Sequence, residues 1–214
     1  SHLVLGWLLG HSTDLTQQMR ANLLARVLLD NSASPLRREL ETCGIGTGPS
    51  QLCGLEDSNK EMTFVCGLEG ADVTDADRFE SLVLDCLQKV ADEGVPQSEI
   101  EAALHQLELG QREIGGDGYP FGMQLILSAL PAAIHGGDAL AALNLDPALS
   151  QLAEDIKDRN FIPGLIQDLL LNNSHQVRLT LVPDEHMSKR RDEAEKQRLS
   201  SKLAAMNDDQ RQVV

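Results

Sequence analysis

The chain has 214 residues, 42% hydrophobic and 24% charged, a globular balance that excludes a disordered chain and builds a core without disulfide or metal. It is acidic, with 18 Lys and Arg against 33 Asp and Glu, a formal charge of −15, and only 3% aromatic residues. Phosphate neutralisation takes clustered cations and base stacking takes aromatic faces, so nucleic-acid binding is excluded.

No segment offers the roughly 20 apolar residues of a membrane span. Leu3–Leu9 is too short, and Phe121–Ile134 contains Gln124, Ser128 and Pro131. No basic stretch leads into an apolar run and cleavage site, so no secretion signal is visible. Cys43, Cys53, Cys66 and Cys86 lack CxxC spacing. They are expected to be free buried thiols in a reducing compartment, and the expected location is cytoplasmic.

Residues 2–10 are apolar on both parities, which predicts a central strand covered on both faces or pressed against a partner. Ser12, Thr13 and Asp14 offer N-cap oxygens. Leu15, Met19, Leu23 and Val27 then recur every four residues, predicting an amphipathic helix that stops near Asp30. Ser34-Pro35 reads as cap and first position of a short helix ended by Gly44, Gly46 and Gly48. Gln51–Glu56 and Glu61–Glu69 flank Asp57-Ser58-Asn59, which is turn chemistry, and predict a hairpin. Phe79, Leu82, Val83, Cys86, Leu87 and Val90 form a helical stripe stopped by Gly94. Pro96 and a Ser98-x-x-Glu101 capping box predict another helix to about Ile114, before a loop at Gly115–Gly118. From Pro120 to Leu171 the pattern is helical in pieces, broken by Pro131, Gly136-Gly137, Pro147 and Pro163. Val177, Leu179 and Leu181 predict a last strand.

The tail from Asp184 carries seven basic and seven acidic residues, so the acidic excess lies wholly before it. Its sparse apolar positions suggest a linker helix. The expectation is an α+β fold: one domain over 1–183, mostly antiparallel sheet with helices on one face, and a charged helical linker over 184–214.

Catalytic motifs are missing. There is no GxSxG elbow, and Gly44-Ile45-Gly46-Thr47-Gly48 is no dinucleotide fingerprint, lacking a preceding strand and a following long helix. Asn172-Asn173-Ser174 matches a glycosylation acceptor only at the level of chance. His2, His11, His105, His135, His175 and His186 form neither HExxH nor HxxEH. His105-Gln106-Leu107-Glu108 is followed by Leu109 where a second ligand would be needed, and His186 faces Val182 at the corresponding distance. No catalytic, cofactor-binding or metal-ligating residue is therefore assigned.

The order of motifs resembles one repeat of the pitrilysin/insulinase superfamily of inverted-motif zinc peptidases. The resemblance rests on the opening strand and helix, on Ser34-Pro35-Leu36-Arg37-Arg38-Glu39-Leu40 with Cys43-Gly44, on the hairpin, and on the helices around Gly94–Ile100. Gly116-Asp117-Gly118-Tyr119-Pro120-Phe121-Gly122 and Leu130–Asp138 look like the presequence protease branch. The resemblance implies a mitochondrial-processing-peptidase-like fold, in polypeptides of four such domains joined by a helical hairpin. The first domain of that family carries HxxEH on its first helix. Here the comparable slot holds Asn22, Ala25 and Arg26, and no histidine or glutamate lies on this helix. The chain thus looks like the second, non-catalytic domain with the start of the linker, and the segment itself is expected not to be an enzyme.

The implied parent is a zinc metalloendopeptidase that degrades peptides. Its zinc would sit in a catalytic domain, and the partners would be that domain, the second half of the same polypeptide and the peptide. The family's substrate-binding Arg and Tyr come from its fourth domain and do not transfer to Arg112 or Tyr119. The acidic surface could favour basic peptides or simply be solvated. The alternative is a stand-alone inactive subunit of a two-subunit peptidase or processing complex; coding sequence continuing beyond Ser1 and Val214 would argue for the linked form.

Overall fold

A computed structural model describes residues 1–112 and 120–207. They fall into two compact units, Ser1–Leu181 and the segment from Val182 onward.

Strand β1 (His2–His11) is the centre of the first unit. The antiparallel sheet runs β2 (Gly48–Pro49), β4 (Glu61–Glu69), β1, β5 (Gln176–Leu181), with β3 (Gly54–Glu56) also on the outer side of β4. The first strand is therefore paired on both sides, as its apolar run predicts. Leu5 lies opposite Cys66 and Trp7 opposite Phe64, so these residues share one face of the sheet. Leu3, Leu5, Trp7, Phe64, Cys66 and Leu68 are all buried there. The Trp7 and Phe64 rings meet at 5.9 Å between centroids, tilted by 48°.

Helix α1 (Leu15–Leu29) belongs to the same core through Met19, Leu23, Leu24, Val27 and Leu28. It starts where expected: the Asp14 carboxylate accepts from the Gln17 backbone N–H at 3.0 Å. Helix α2 (Pro35–Thr42) adds Leu36 and Leu40. Helix α3 (Ala76–Glu93) adds Phe79, Val83, Leu87 and Val90, and ends as Gly94 turns to φ +77°, a conformation glycine takes without steric cost. Helices α4 (Gln97–Arg112), α6 (Asp146–Asp155) and α7 (Phe161–Ile166) contribute Ile100, Leu107, Leu149, Leu152, Ile162 and Ile166. Arg20 of α1 binds Asp155 of α6 at 2.7 Å while its guanidinium lies 5.6 Å from the centroid of Phe161. The result is α+β, with an open antiparallel sheet and a helical layer on one face.

Several boundaries differ from the sequence expectation. The first hairpin arm starts at Gly54, because Gln51-Leu52 turn away after Ser50. The box at Ser98 does not form: α4 begins at Gln97, whose side-chain amide donates to Glu101 at 3.1 Å and to the Ile156 carbonyl at 3.1 Å. Of the four expected breaks after Pro120, three fall between helical elements: Gly136-Gly137 follows one helix, and Pro147 and Pro163 stand at the starts of two others. Pro131 lies inside α5 (Phe121–Ile134), and Pro147 and Pro163 sit in first turns, where no intrahelical N–H bond is lost. The expected end of α4 at Ile114, the loop Gly115–Gly118 and Tyr119 lie outside the described residues.

Edge strand β5 is tied to the helical layer by Arg178, which donates to Asp77 at 2.5 Å and Glu80 at 2.6 Å, both on α3. In the second unit, α8 (Met187–Ala205) is exposed along its length, and its Arg190 pairs with Asp184 just before it.

Candidate functional site

The α1 positions that the resemblance compares with the zinc motif, Asn22, Ala25 and Arg26, make structural contacts. The Asn22 amide donates to Asp57 at 3.1 Å and to the Gln18 carbonyl at 3.1 Å. Gln18 donates to the same Asp57 oxygen at 3.0 Å. Asp57 comes from the β3–β4 turn, so this cluster fastens the hairpin tip to the helix. His135, just past α5, lies 3.0 Å from the Ser58 carbonyl of the same turn. Ala25 is buried in the core, and Arg26 pairs with Asp30 one turn on, at 3.6 Å.

A metal centre needs several neutral imidazoles, thiolates or carboxylates converging on one point. The slot supplies one carboxylate, already receiving two amide donors, and a guanidinium that would repel a cation. Among the described residues no three His, Cys, Asp or Glu side chains gather closely enough to hold an ion. The histidines are dispersed: His2 lies 3.4 Å from the Ser50 hydroxyl, and His11 and His105 are exposed. A cleft of about 380 Å³ opens beside the slot, lined by Gln18, Asn22 and Asp57 and by Phe121, Leu125 and Pro131 of α5. It holds no paired acid and base.

The four thiols are free, with Cys66 and Cys86 buried and Cys43 and Cys53 half-buried. Burial raises the Cys66 thiol well above its usual range, raises Cys53, and pushes Cys86 up to about 11. A thiol whose folded pKa exceeds its unfolded value near 9 favours the fold below pH 9, and that contribution is lost as pH rises from there toward 11. At pH 8, Cys66 and Cys86 are therefore expected to react with a disulfide reagent only as fast as the protein opens. Fast labelling should be confined to Cys43, with half-buried Cys53 slowed by its raised pKa. Prompt reaction of all four thiols, counted by mass, would contradict the burial.

The second face of the sheet is the other feature. Val4, Gly6 and Leu8 lie there, opposite Leu179 and Val177 on one side and Gly67, Val65 and Thr63 on the other. No described helix of the first unit covers it, and Val177, Leu179 and Leu181 are 62%, 47% and 42% exposed. A groove of about 830 Å³ runs over this face, bounded by the Gln51–Gly54 turn. The apolar character of β1 on both parities was its sequence signal. The Asp57 cluster had no signal beyond turn chemistry, because its partners are 35 and 39 residues away.

Comparisons with known proteins agree with this architecture. The family profile described as the Peptidase M16 inactive domain matches residues 1–107. Presequence protease 1, chloroplastic/mitochondrial, of Arabidopsis thaliana is 31% identical over 212 residues, covering 97% of this chain and 19% of that protein. The mitochondrial presequence protease of Danio rerio is 25% identical over 210 residues, covering 98% of this chain and 20% of its own length. The chain thus spans about a fifth of the length of these curated relatives. Among solved structures, the peptidase M16 inactive domain from Pseudomonas fluorescens superposes with a TM-score of 0.56 at 16% identity, covering 86% of this chain and 41% of that one. A protease from Helicobacter pylori does so with 0.61 at 13% identity, covering 85% and 41%. With an open antiparallel sheet under a helical layer and a family match over its first half, this chain belongs to the peptidase M16 inactive-domain family.

Proposed function

We propose that this chain is the non-catalytic scaffold domain of a zinc metalloendopeptidase that degrades peptides, packing on the catalytic domain and walling the substrate chamber. The observation that carries this reading is the slot on α1. Asn22, Ala25 and Arg26 stand where the inverted zinc motif would stand, and their side chains brace the hairpin, fill the core and pair with Asp30. The fold is kept while its chemistry is absent, so its contribution is shape. Residues 1–183 act as the domain and 184–214 as a charged linker toward the second half of the polypeptide. Zinc and the water it activates belong to the neighbouring catalytic domain. The chloroplastic and mitochondrial presequence proteases among the relatives support an organellar setting for the parent protein in place of the expected cytoplasmic one.

The test has two arms. The reading frame around the chain is expected to encode HxxEH upstream of residue 1. The purified chain, dialysed and examined by metal analysis, is expected to hold well under one zinc per molecule and to leave a fluorogenic peptide uncut. Stoichiometric zinc with chelator-sensitive cleavage, or an uninterrupted coding context without the motif, would overturn the reading.

A further inference from the structure

We infer that the cleft between α1, the hairpin tip and α5 is a binding site for a small organic cation, one ammonium or guanidinium head on an apolar body. The inference goes beyond the scaffold reading and does not depend on it.

The polar wall of the cleft is the first observation. Gln18, Asn22, Asp57 and Ser58 line it, and their donors are mostly spent inside the protein. The Asn22 amide gives its N–H groups to the Gln18 backbone carbonyl and to Asp57 Oδ2. The Gln18 amide donates to the same Asp57 oxygen at 3.0 Å. The Ser58 hydroxyl donates to Glu56, and on the α5 side Ser128 donates to the Gln124 carbonyl at 2.9 Å. What remains is acceptors. Among the described residues, Asp57 Oδ1 and the side-chain oxygens of Gln18 and Asn22 receive no hydrogen bond from the protein. Two amides therefore hold the carboxylate in place and leave half of it open. An ammonium or guanidinium carries N–H donors and no acceptor, which is the complement of this wall. Asp57 is also the one charged residue lining the cleft, so it balances a single positive charge and repels an anion. Arg26, one turn further along α1, pairs with Asp30 and does not line the cleft. A divalent ion fits poorly, since it takes about six oxygens and this wall holds one half-used carboxylate and two amide oxygens.

The opposite wall fixes the rest of the ligand. Phe121, Leu125, Leu127 and Leu143 line it and are all exposed. An apolar lining facing a few convergent polar groups is the usual make-up of a small-molecule site, and about 380 Å³ lies within the size range of such sites. A bare hydrated cation would leave the apolar wall in water. A neutral apolar molecule would strip water from the Asp57 carboxylate and return no hydrogen bond. An apolar body ending in one cationic head satisfies both walls. A free amine offers that chemistry, and so does a basic side chain beside an apolar one in a peptide.

The probe is 4-phenylbutylammonium, titrated into the 214-residue chain by calorimetry beside its neutral isostere 4-phenylbutanol and the anion 4-phenylbutyrate. The ammonium is expected to bind at least tenfold more tightly than either. Asp57→Asn keeps an oxygen for the two amides and removes the charge, and is expected to weaken ammonium binding at least fivefold with thermal unfolding kept. Leu125→Lys, inside the cleft, is expected to abolish binding. Ile126→Lys adds the same charge to the next residue of α5, outside the lining, and is expected to leave affinity within twofold. This lysine pair decides the matter by itself if Asp57→Asn unfolds. A blocked peptide carrying Lys-Phe separates the sources: tighter binding than the free amine assigns the cation to a peptide, weaker binding to a free amine, and both keep the site. Equal binding of ammonium and alcohol, or tighter binding of the carboxylate, would overturn the inference. So would unchanged affinity in Leu125→Lys, or equal losses in the two lysine variants. None of these outcomes touches the metal and reading-frame arms of the scaffold test.

Discussion

Trp7→Ala is expected to lower the unfolding free energy by about 3–5 kcal/mol, the range for deleting a large aromatic side chain from a packed core. Trp7 is 1% exposed, stands on the central strand and packs on Phe64 within the core that α1 and α3 share. Trp7→Phe separates two contributions. The indole Nε1 is buried and meets no protein acceptor, an arrangement that costs about 1–3 kcal/mol. Phenylalanine removes that donor and also some volume, two changes of opposite sign, so its net effect is expected within about 1 kcal/mol of zero. Urea unfolding followed by far-ultraviolet circular dichroism checks both, since the chain has a single tryptophan and both variants lose its fluorescence. Equal destabilisation by alanine and phenylalanine would show that the N–H is satisfied and that the orphan donor is not a real feature of the core.

The parts of this fold that could be read from sequence are those fixed by local periodicity. The four-residue recurrence on α1, the stripe from Phe79 to Val90 and the alternation of Met62, Phe64, Cys66 and Leu68 each name a buried face without any knowledge of its partner. The parts that could not are fixed by distant partners. Gln51 and Leu52 have an acceptable strand composition, yet Ser50 already donates to the Gly67 carbonyl and the chain must turn before β3 can pair. Pro131 carries a breaker signal, yet α5 continues to Ile134 and the His135 backbone N–H still reaches the Pro131 carbonyl. The lack of the HxxEH letters can be read from sequence, because ligands are residue types. The bracing of Asp57 by Gln18 and Asn22 cannot, because amides and a turn aspartate carry no mutual signature.

Restoring the letters of the zinc motif is expected to cost stability without creating a zinc site. In the Asn22→His, Ala25→Glu, Arg26→His variant, the glutamate replaces a side chain that is 9% exposed and belongs to the core of α1. An unpaired carboxylate at such a position costs several kcal/mol unless it protonates or escapes to solvent, and Ala25→Glu alone is expected to lose about 2–4 kcal/mol. Asn22→His also removes the amide that holds Asp57, loosening the hairpin tip against the helix. A catalytic slot requires the opposite arrangement, with the motif on a helix face open to water and substrate. The measurement is thermal unfolding of the triple variant with zinc and with chelator. A bound ion would stabilise by mass action, about 2.7 kcal/mol at a hundredfold excess over its dissociation constant, and would raise the melting temperature by several degrees. No difference between the two conditions is expected, with both well below wild type. A zinc-dependent rise would mean that the helix still presents its catalytic face, and that loss of residues alone, rather than a re-engineered packing of α1, separates this domain from an active one.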